Sequence, residues 1–202
     1  MVQNIDFTPP ADPWVLFREW YALAGKNEPI DPNAMSLATV GGDGMPSLRV
    51  VLMKDFDEKG LVFFTNRESR KGEQLAKHPK AGICLHWKSL HRQIRAEGLI
   101  TQTSDAESDA YHATRPRGSQ IGAWASHQSQ PLDDRTTLER RAAELEKQYE
   151  GKPVPRPPYW GGYRLTPLML EFWQERGFRL HDRVVYRRQD ANGPWAIERL
   201  NP

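Results

Sequence analysis

The chain has 202 residues, of which 38% are hydrophobic and 27% are charged, and its formal net charge at pH 7 is +2. This length suits one compact domain with a sizeable core. Because acidic and basic residues are nearly balanced and interspersed, the charge gives no support to a nucleic-acid partner or a polybasic membrane contact.

No apolar run approaches the ~20 residues that span a bilayer. The first residues carry neither a basic segment nor an apolar stretch, so we expect no signal peptide. Cys84 is the only cysteine, which excludes an internal disulfide and fits a reducing compartment. These features predict a cytoplasmic protein.

In chain order, residues 1–11 contain prolines and show no periodicity, so we expect a flexible N-terminal arm followed by a single domain over 12–202. Asp12 and Pro13 have the form of a helix N-cap and first helical position, and the apolar spacing predicts a helix that ends at Gly25. The Gly-rich segment 41–44 predicts a hairpin turn.

Strand patterns dominate the remainder of the chain, and shorter helical patterns lie between them. Strands are expected over 35–40, 47–53, 61–65, 81–87, 93–101, 162–165, 169–175, 178–187 and 195–200. Helices are expected over 69–78, 104–115, 119–125 and 133–150. Strands joined mostly by turns, with helices inserted, favour a mainly β (α+β) fold, an antiparallel barrel with peripheral helices.

Cations stand where a helix is expected to begin, at Arg70 and Lys71 directly after Ser69. The helix dipole disfavours cations at this end unless an anion lies between them and the free backbone amides. The pattern therefore predicts a phosphate site. Arg49 and Lys54 stand at the two ends of the segment 49–54, in the region of the expected strand 47–53. Taken alone, they are better interpreted as solvated charges at the rims of a barrel strand.

A second anion signal comes from Tyr111, Arg115 and Ser119, which are spaced four residues apart. A continuous helix would present the phenol, guanidinium and hydroxyl on one face, although Pro116 leaves that continuity open. Further along, Arg179, His181 and Arg183 alternate on an expected strand and so share a face with no paired acid, which favours a bound anion or a ring.

Other polar residues allow two interpretations. Gln93, Gln128 and Ser129 could hydrogen-bond a heteroaromatic edge, or could serve as turn caps and a sheet-edge amide. Cys84 shares a strand face with His86, but no second cysteine or spaced carboxylate accompanies them, so no metal site is expected. The tryptophans are otherwise interpreted as core or interface residues: Trp87, Trp124, Trp160 and Trp173.

From about Asp12 to the C-terminus, the sequence resembles the pyridoxine/pyridoxamine 5'-phosphate oxidase family. The resemblance is carried by Arg49–Lys54, Phe64–Asn66, Ser69–Lys71, Arg115–Gln130, Glu171–Gln174, Arg179–Arg183 and Glu198–Pro202. It implies a split antiparallel β-barrel of the FMN-binding type, assembled as a homodimer with FMN in clefts between the subunits. Phe64 stands where the family often has tyrosine, His127 where lysine is usual and Asn201 where alanine is common.

The resemblance also implies a set of site residues. FMN would be bound by Arg49, Val50, Val51, Leu52, Met53, Lys54, Phe64, Thr65, Arg70, Lys71, Gln93, Gln128, Ser129, Trp173 and Arg183. The substrate would be bound by Lys54, Tyr111, Arg115, Ser119, Arg179, Leu180 and His181, with Arg179 and His181 as the catalytic pair over the pyridine ring.

The expected reaction is FMN-dependent oxidation of pyridoxamine or pyridoxine 5'-phosphate to pyridoxal 5'-phosphate, with O2 as electron acceptor and H2O2 released. A related FMN oxidase of the phenazine-pathway type is one alternative, although such a substrate has no phosphate for Tyr111, Arg115 and Ser119 to bind. A non-catalytic flavin-binding or pyridoxal-phosphate-binding protein is the other.

Overall fold

The computed structural model describes residues 8–202, so residues 1–7 of the expected N-terminal arm lie outside the described residues. The end of that segment contacts the domain. The hydroxyl of Tyr186, a fully buried residue, donates a hydrogen bond of 2.9 Å to the carbonyl oxygen of Pro10.

Within the described residues there are five α-helices, close to the expected positions. The first helix begins after Asp12, whose carboxylate accepts a hydrogen bond of 3.0 Å from the Trp14 amide. It runs past the expected end at Gly25, because the helical hydrogen bonds continue to the amide of Glu28. The helices are α1 (Pro13–Asn27), α2 (Arg70–Lys77), α3 (Asp105–Thr114), α4 (Arg117–Ala125) and α5 (Arg135–Gln148).

Nine strands form one curled antiparallel sheet in the part of the chain that the structure describes. They are β1 (Ala34–Val40), β2 (Pro46–Leu52), β3 (Asp55–Asp57), β4 (Gly60–Asn66), β5 (Lys80–Trp87), β6 (Arg92–Gln102), β7 (Trp160–Gln174), β8 (Asp182–Arg187) and β9 (Ala196–Arg199). The main path runs β2-β1-β5-β6-β7-β4-β3, and β8 joins β7 and β9.

Strand β7 explains why the barrel is split. It is one strand of 15 residues where two shorter ones are expected from the sequence. One edge pairs with β6 over most of its length. The other edge pairs first with β4 and then, beyond Pro167, with β8. The sheet therefore divides at β7, which confirms the expected split barrel.

The expected strand over 178–187 is wrong at its beginning. Residues Gly177–Arg179 form a 3₁₀ turn, and β8 starts only at Asp182. Phe178 and Arg179 both have left-handed backbone angles, with φ of 57° and 62°. Such angles break the alternation of a strand, so Arg179 does not share a strand face with Arg183.

Aromatic residues of α1 fill the inner side of the sheet. Trp14, Phe17 and Trp20 are buried, and the Trp20 ring meets the Phe172 ring of β7 edge-on at 5.4 Å. By contrast, α5 buries none of its residues and packs mainly on α4. Among the residues described, no helix combines the length and apolar character that crossing a bilayer requires.

Candidate active site

A cavity of about 780 Å³ opens between β2, β4, the start of α2 and the α3–α4 corner. We call it the cationic cavity. It brings together residues from five separate stretches of the expected site. The expected site residues that line it are Val50, Val51, Leu52, Lys54, Phe64, Thr65, Lys71, Tyr111, Arg115, Ser119 and Gln128.

The floor of the cationic cavity carries a buried lysine. Lys71 is 8% exposed, and its Nζ donates hydrogen bonds to Thr65 Oγ1 at 2.9 Å and Gln128 Oε1 at 2.8 Å. Burial, and secondarily the positive charge of Arg49, lower the pKa of Lys71 to about 8. Its hydrogen-bond partners are neutral oxygens, so no residue from 8 to 202 neutralises its charge.

Two further cations lie beside Lys71. Arg49 donates to Thr39 Oγ1 and Ser47 Oγ, each at 2.6 Å, and burial and then the charge of Arg70 lower its pKa. In the described part of the chain, Arg49, Arg70 and Lys71 form no ion pair with a carboxylate. Three like charges close to a helix N-terminus favour a bound anion there, as the sequence predicts.

The α2 N-terminus itself forms as expected. Ser69 is the N-cap, and its hydroxyl oxygen accepts from the Gly72 amide at 3.4 Å. Arg70 and Lys71 are therefore the first two residues of the helix, the positions where the dipole disfavours cations. The unfavourable placement of two cations at a helix N-terminus, expected from the sequence, is therefore present, and Lys71 lines the cationic cavity.

The expected helical face of Tyr111, Arg115 and Ser119 does not exist as one helix. Tyr111 lies in α3, Arg115 is the residue that ends α3, and Ser119 lies in α4, which starts after Pro116. The break bends the chain at Pro116, yet all three side chains line the cationic cavity. The juxtaposition is as expected, although its structural reason is a corner between two helices.

Arg115 offers a free donor to this cavity. Its Nη1 is buried and has no hydrogen-bond partner among residues 8–202. Burial lowers its pKa. Its guanidinium lies 4.6 Å from the centre of the Trp160 ring. A partly buried cation without an acid partner is costly, so Arg115, which lines the cavity, favours a bound anion there.

An aromatic wall, formed by Phe64, Tyr111 and Trp160, closes one side of the cationic cavity. The Phe64 ring stacks on Tyr111 at 4.1 Å and on Trp160 at 5.5 Å, with interplanar angles of 22° and 12°. Gly162 permits this packing, because a Cβ there would lie 2.8 Å from Phe64 Cε1. Trp160 and Gly162 carry no sequence signal that distinguishes them from ordinary core residues.

Four further expected ligands form a second group, the strand cluster, which consists of Gln93, Trp173, His181 and Arg183. Gln93, Trp173 and Arg183 are register partners on β6, β7 and β8 and so form one row across the sheet. The His181 ring lies 4.7 Å from the Trp173 ring. None of these residues lines the cationic cavity. Within one described chain the expected site is therefore in two parts.

The expectation that Arg183 lacks an acid partner is wrong. Its Nε donates to the carboxylate of Glu171 at 2.7 Å, and that hydrogen bond raises the pKa of Arg183. Glu171 is buried on β7 and also pairs with Arg95 at 3.0 Å. The neighbouring strand supplies the acid, because β7 and β8 set Glu171 close to Arg183. Arg179 is exposed and forms no ion pair with the residues described.

The turn that carries Arg179 is fixed at its base. The Arg176 amide donates to Nδ1 of His181 at 3.2 Å, and the Arg176 guanidinium binds Asp182 at 2.6 Å. Because Nδ1 accepts a hydrogen bond, a neutral His181 carries its proton on Nε2. Leu180, next to Arg179 in this turn, is exposed.

Two expected ligands lie elsewhere. Met53 is 2% exposed within the hydrophobic core and does not line the cationic cavity. Its backbone amide and carbonyl are both hydrogen-bonded to Asn33, at 2.9 and 2.8 Å. Ser129 has a φ of 73° and lines a neighbouring small pocket of about 150 Å³. Over residues 8–202 there is no cluster of three or more histidine, cysteine or acidic residues suited to a metal ion.

Two family models match the chain. Residues 26–149 match the model described as pyridoxamine 5'-phosphate oxidase. Residues 160–202 match the pyridoxine 5'-phosphate oxidase C-terminal dimerisation region. The chain belongs to the pyridoxamine 5'-phosphate oxidase family. The dimerisation region covers β7 to β9 and indicates a homodimer.

Individual relatives agree with this family. The chain is 55% identical over 197 residues to a pyridoxine/pyridoxamine 5'-phosphate oxidase of Brucella canis, covering 98% of this chain and 97% of that protein. The crystal structure of PhzG from Burkholderia lata 383 in complex with tetrahydrophenazine-1-carboxylic acid has a TM-score of 0.91 and 35% identity, covering 100% of both chains.

A third relative shares the fold alone. It is a pyridoxamine 5'-phosphate oxidase-related, FMN binding protein from Nostoc punctiforme, with a TM-score of 0.74 and 22% identity over 95% of this chain and 98% of that one. Family membership confirms the split-barrel fold and makes the chain an oxidase. It leaves the individual site residues as a proposal.

Proposed function

We propose that the protein oxidises pyridoxamine and pyridoxine 5'-phosphate to pyridoxal 5'-phosphate with FMN as cofactor and O2 as electron acceptor, releasing H2O2. The observation that carries this proposal is the cationic cavity, where Lys54, Arg115 and Ser119 converge without a carboxylate partner within residues 8–202. Such a donor set suits a phosphate monoester. The names of the relatives at 55% identity point the same way.

The residues present fit FMN. Its phosphate would lie near Arg49, Arg70 and Lys71, whose charges no described acid neutralises. The amide of Gln128 and the hydroxyl of Thr65 supply both donors and acceptors of the kind that a heteroaromatic edge requires. When bound, the flavin supplies the redox chemistry, accepting two electrons and passing them to O2.

The substrate would be held by its phosphate. Tyr111, Arg115 and Ser119 would donate to the phosphate oxygens from one side, and Lys54 from the other. Anchoring a small ring at one end fixes the position of the carbon that reacts, and misplacing that carbon by ~1 Å costs on the order of a hundredfold in rate. The protein thus contributes mainly position and electrostatics.

Arg179, Leu180 and His181 would approach the pyridine ring from the second subunit. These three residues lie in the part of the chain that matches a dimerisation region, as does the strand cluster apart from Gln93. None of them lines the cationic cavity of its own chain. In a homodimer, one protomer's strand cluster could complete its partner's cavity. Arg179 would then hold the substrate ring in place and stabilise the charge that develops as hydride departs, and His181 would donate from Nε2.

A phenazine-pathway oxidase is the second candidate, favoured by the TM-score of 0.91 to PhzG. The ligand in that structure is a carboxylic acid without a phosphate. The buried, unpartnered Nη1 of Arg115 and the adjacent Tyr111 and Ser119 favour the phosphorylated substrate instead.

We also expect a cytoplasmic location, given the single cysteine.

Oxygen consumption by the purified protein separates the candidates. With FMN and pyridoxine 5'-phosphate, we expect O2 uptake matched by H2O2 and by pyridoxal 5'-phosphate. Turnover of a dihydrophenazine carboxylic acid alone would support the phenazine reaction. Tight binding of pyridoxal 5'-phosphate without O2 uptake would support a non-catalytic binding protein. A preparation that binds no FMN would contradict every proposed function that requires a flavin.

A further inference from the structure

We infer that Trp160 is a positioning residue for the substrate phosphate: its ring holds the Arg115 guanidinium by a cation–π contact and leaves the charge of Arg115 free for the phosphate. This inference rests on the proposed function, because it deepens the account of the same cavity. Sequence patterns alone class Trp160 as an ordinary core residue.

Hydrogen bonds to the described residues do not fix the side chain of Arg115. Its backbone is fixed, because the amide donates to the His112 carbonyl at 3.1 Å and Pro116 follows. The guanidinium itself donates no hydrogen bond and forms no ion pair to any residue that the structure describes, and its Nη1 is buried. Tyr111 and His112 are also close enough to interact with it electrostatically. The Trp160 ring, whose centre is 4.6 Å away, is the surface on which the guanidinium lies.

Trp160 is itself held firmly in place. It is 6% exposed, and its carbonyl oxygen accepts a hydrogen bond of 2.7 Å from Arg156. Phe64 stacks parallel to its ring at 5.5 Å, and the His112 ring meets it edge-on at 5.3 Å. A ring fixed from several sides gives the guanidinium a rigid platform.

The chemistry of this platform matters for phosphate recognition. Tryptophan is the aromatic side chain that attracts a guanidinium most strongly. A carboxylate could also orient Arg115, but it would occupy the donors and cancel the charge that a phosphate needs. A π face orients the same group from one side and leaves its N–H donors available. Arg183 shows the alternative arrangement in this chain, because its guanidinium is paired with the carboxylate of Glu171.

The test compares Trp160→Phe and Trp160→Leu with wild type, using pyridoxine 5'-phosphate as substrate. Loss of a desolvated cation–π contact should raise KM about 5- to 30-fold in the leucine variant and less in the phenylalanine variant. The kcat value, measured with FMN saturating, should stay unchanged. If the leucine variant does not fold, the phenylalanine variant still tests the inference.

Two controls separate positioning from general damage. Trp195→Leu removes a similar cation–π contact, with Arg188 at 4.3 Å, that lies outside the cationic cavity, and it should leave KM unchanged. In an Arg115→Ala background, Trp160→Leu should have almost no further effect, because residues that act through one another are not additive.

An unchanged KM in both Trp160 variants, or an equal loss with and without Arg115, would overturn the inference while leaving the proposed function intact. Wild-type protein that consumes no O2 with pyridoxine 5'-phosphate would instead overturn the proposed function.

Discussion

Replacing Arg115 with alanine removes the cation whose buried Nη1 has no partner among the described residues. A charge-assisted hydrogen bond contributes ~1.5–3 kcal/mol. Since each 1.36 kcal/mol is a factor of ten, kcat/KM for pyridoxine 5'-phosphate should fall by about 10- to 150-fold. The fold should tolerate the change, because the guanidinium makes no ion pair or hydrogen bond with any residue from 8 to 202.

The conservative variant Arg115→Lys sharpens this prediction. Lysine keeps the charge but lacks the planar guanidinium that lies on the Trp160 ring. The kcat/KM of this variant should therefore lie between the values of Arg115→Ala and wild type. Arg140→Ala is the matched control, because Arg140 is an exposed arginine of α5 that does not line the cavity, and its loss changes net charge equally.

The assay is steady-state O2 uptake over a range of pyridoxine 5'-phosphate concentrations, with FMN saturating. The loss should appear mainly as a higher KM, with FMN affinity unaltered. A KM in the alanine variant equal to that of Arg140→Ala would refute the assignment of Arg115 to the phosphate.

Three further outcomes test other parts of the site. FMN affinity should fall as the pH rises from about 7 to 9, because the pKa of Lys71 is about 8 and the anion binds its protonated form; Lys71→Gln should flatten this profile in a fluorescence titration. Glu171→Gln should lower the denaturation temperature and raise the Kd for FMN, because Arg95 and Arg183 lose their shared carboxylate. An unchanged Kd would contradict a role for Arg183 in binding FMN. Arg179→Ala should lower kcat while FMN binds normally. Subunit exchange with Arg115→Ala should restore part of the activity, because one site of each mixed dimer then has both residues intact. No recovery would contradict a site shared between protomers.

Much of the local structure could be predicted from the sequence because its signals are short-range. Ser69 and Ser104 begin their helices as cap chemistry requires, and the second forms a full capping box with Glu107. Pro116 ends the helical run as its missing N–H dictates. Arg70 and Lys71 at the start of α2 likewise predict an anion site from local sequence alone.

The errors arise where tertiary contacts decide. The left-handed angles of Phe178 and Arg179 replace an expected strand, and no proline or glycine at those two positions signals the turn. The pairing of Arg183 with Glu171 depends on strands joined by a turn, in a register that composition does not reveal. Trp160 lies beneath Arg115 and lines the cationic cavity, and nothing local in the sequence sets it apart from the other tryptophans.

The split of the expected ligands into two groups is also beyond local patterns. Gln93 and Trp173 lie side by side because β6 and β7 are paired, and both stay away from the cationic cavity of their own chain. The sequence resemblance named these residues as ligands, but only the sheet topology shows that one chain does not gather them into one cavity.

The most direct measurement of the central claim compares two substrates that differ only in the phosphate. We predict that wild-type kcat/KM for pyridoxine 5'-phosphate exceeds that for pyridoxine by about a thousandfold or more, since several charge-assisted contacts of ~1.5–3 kcal/mol each depend on that group. Equal values for the two substrates would show that the cationic cavity does not recognise phosphate, and would contradict the account.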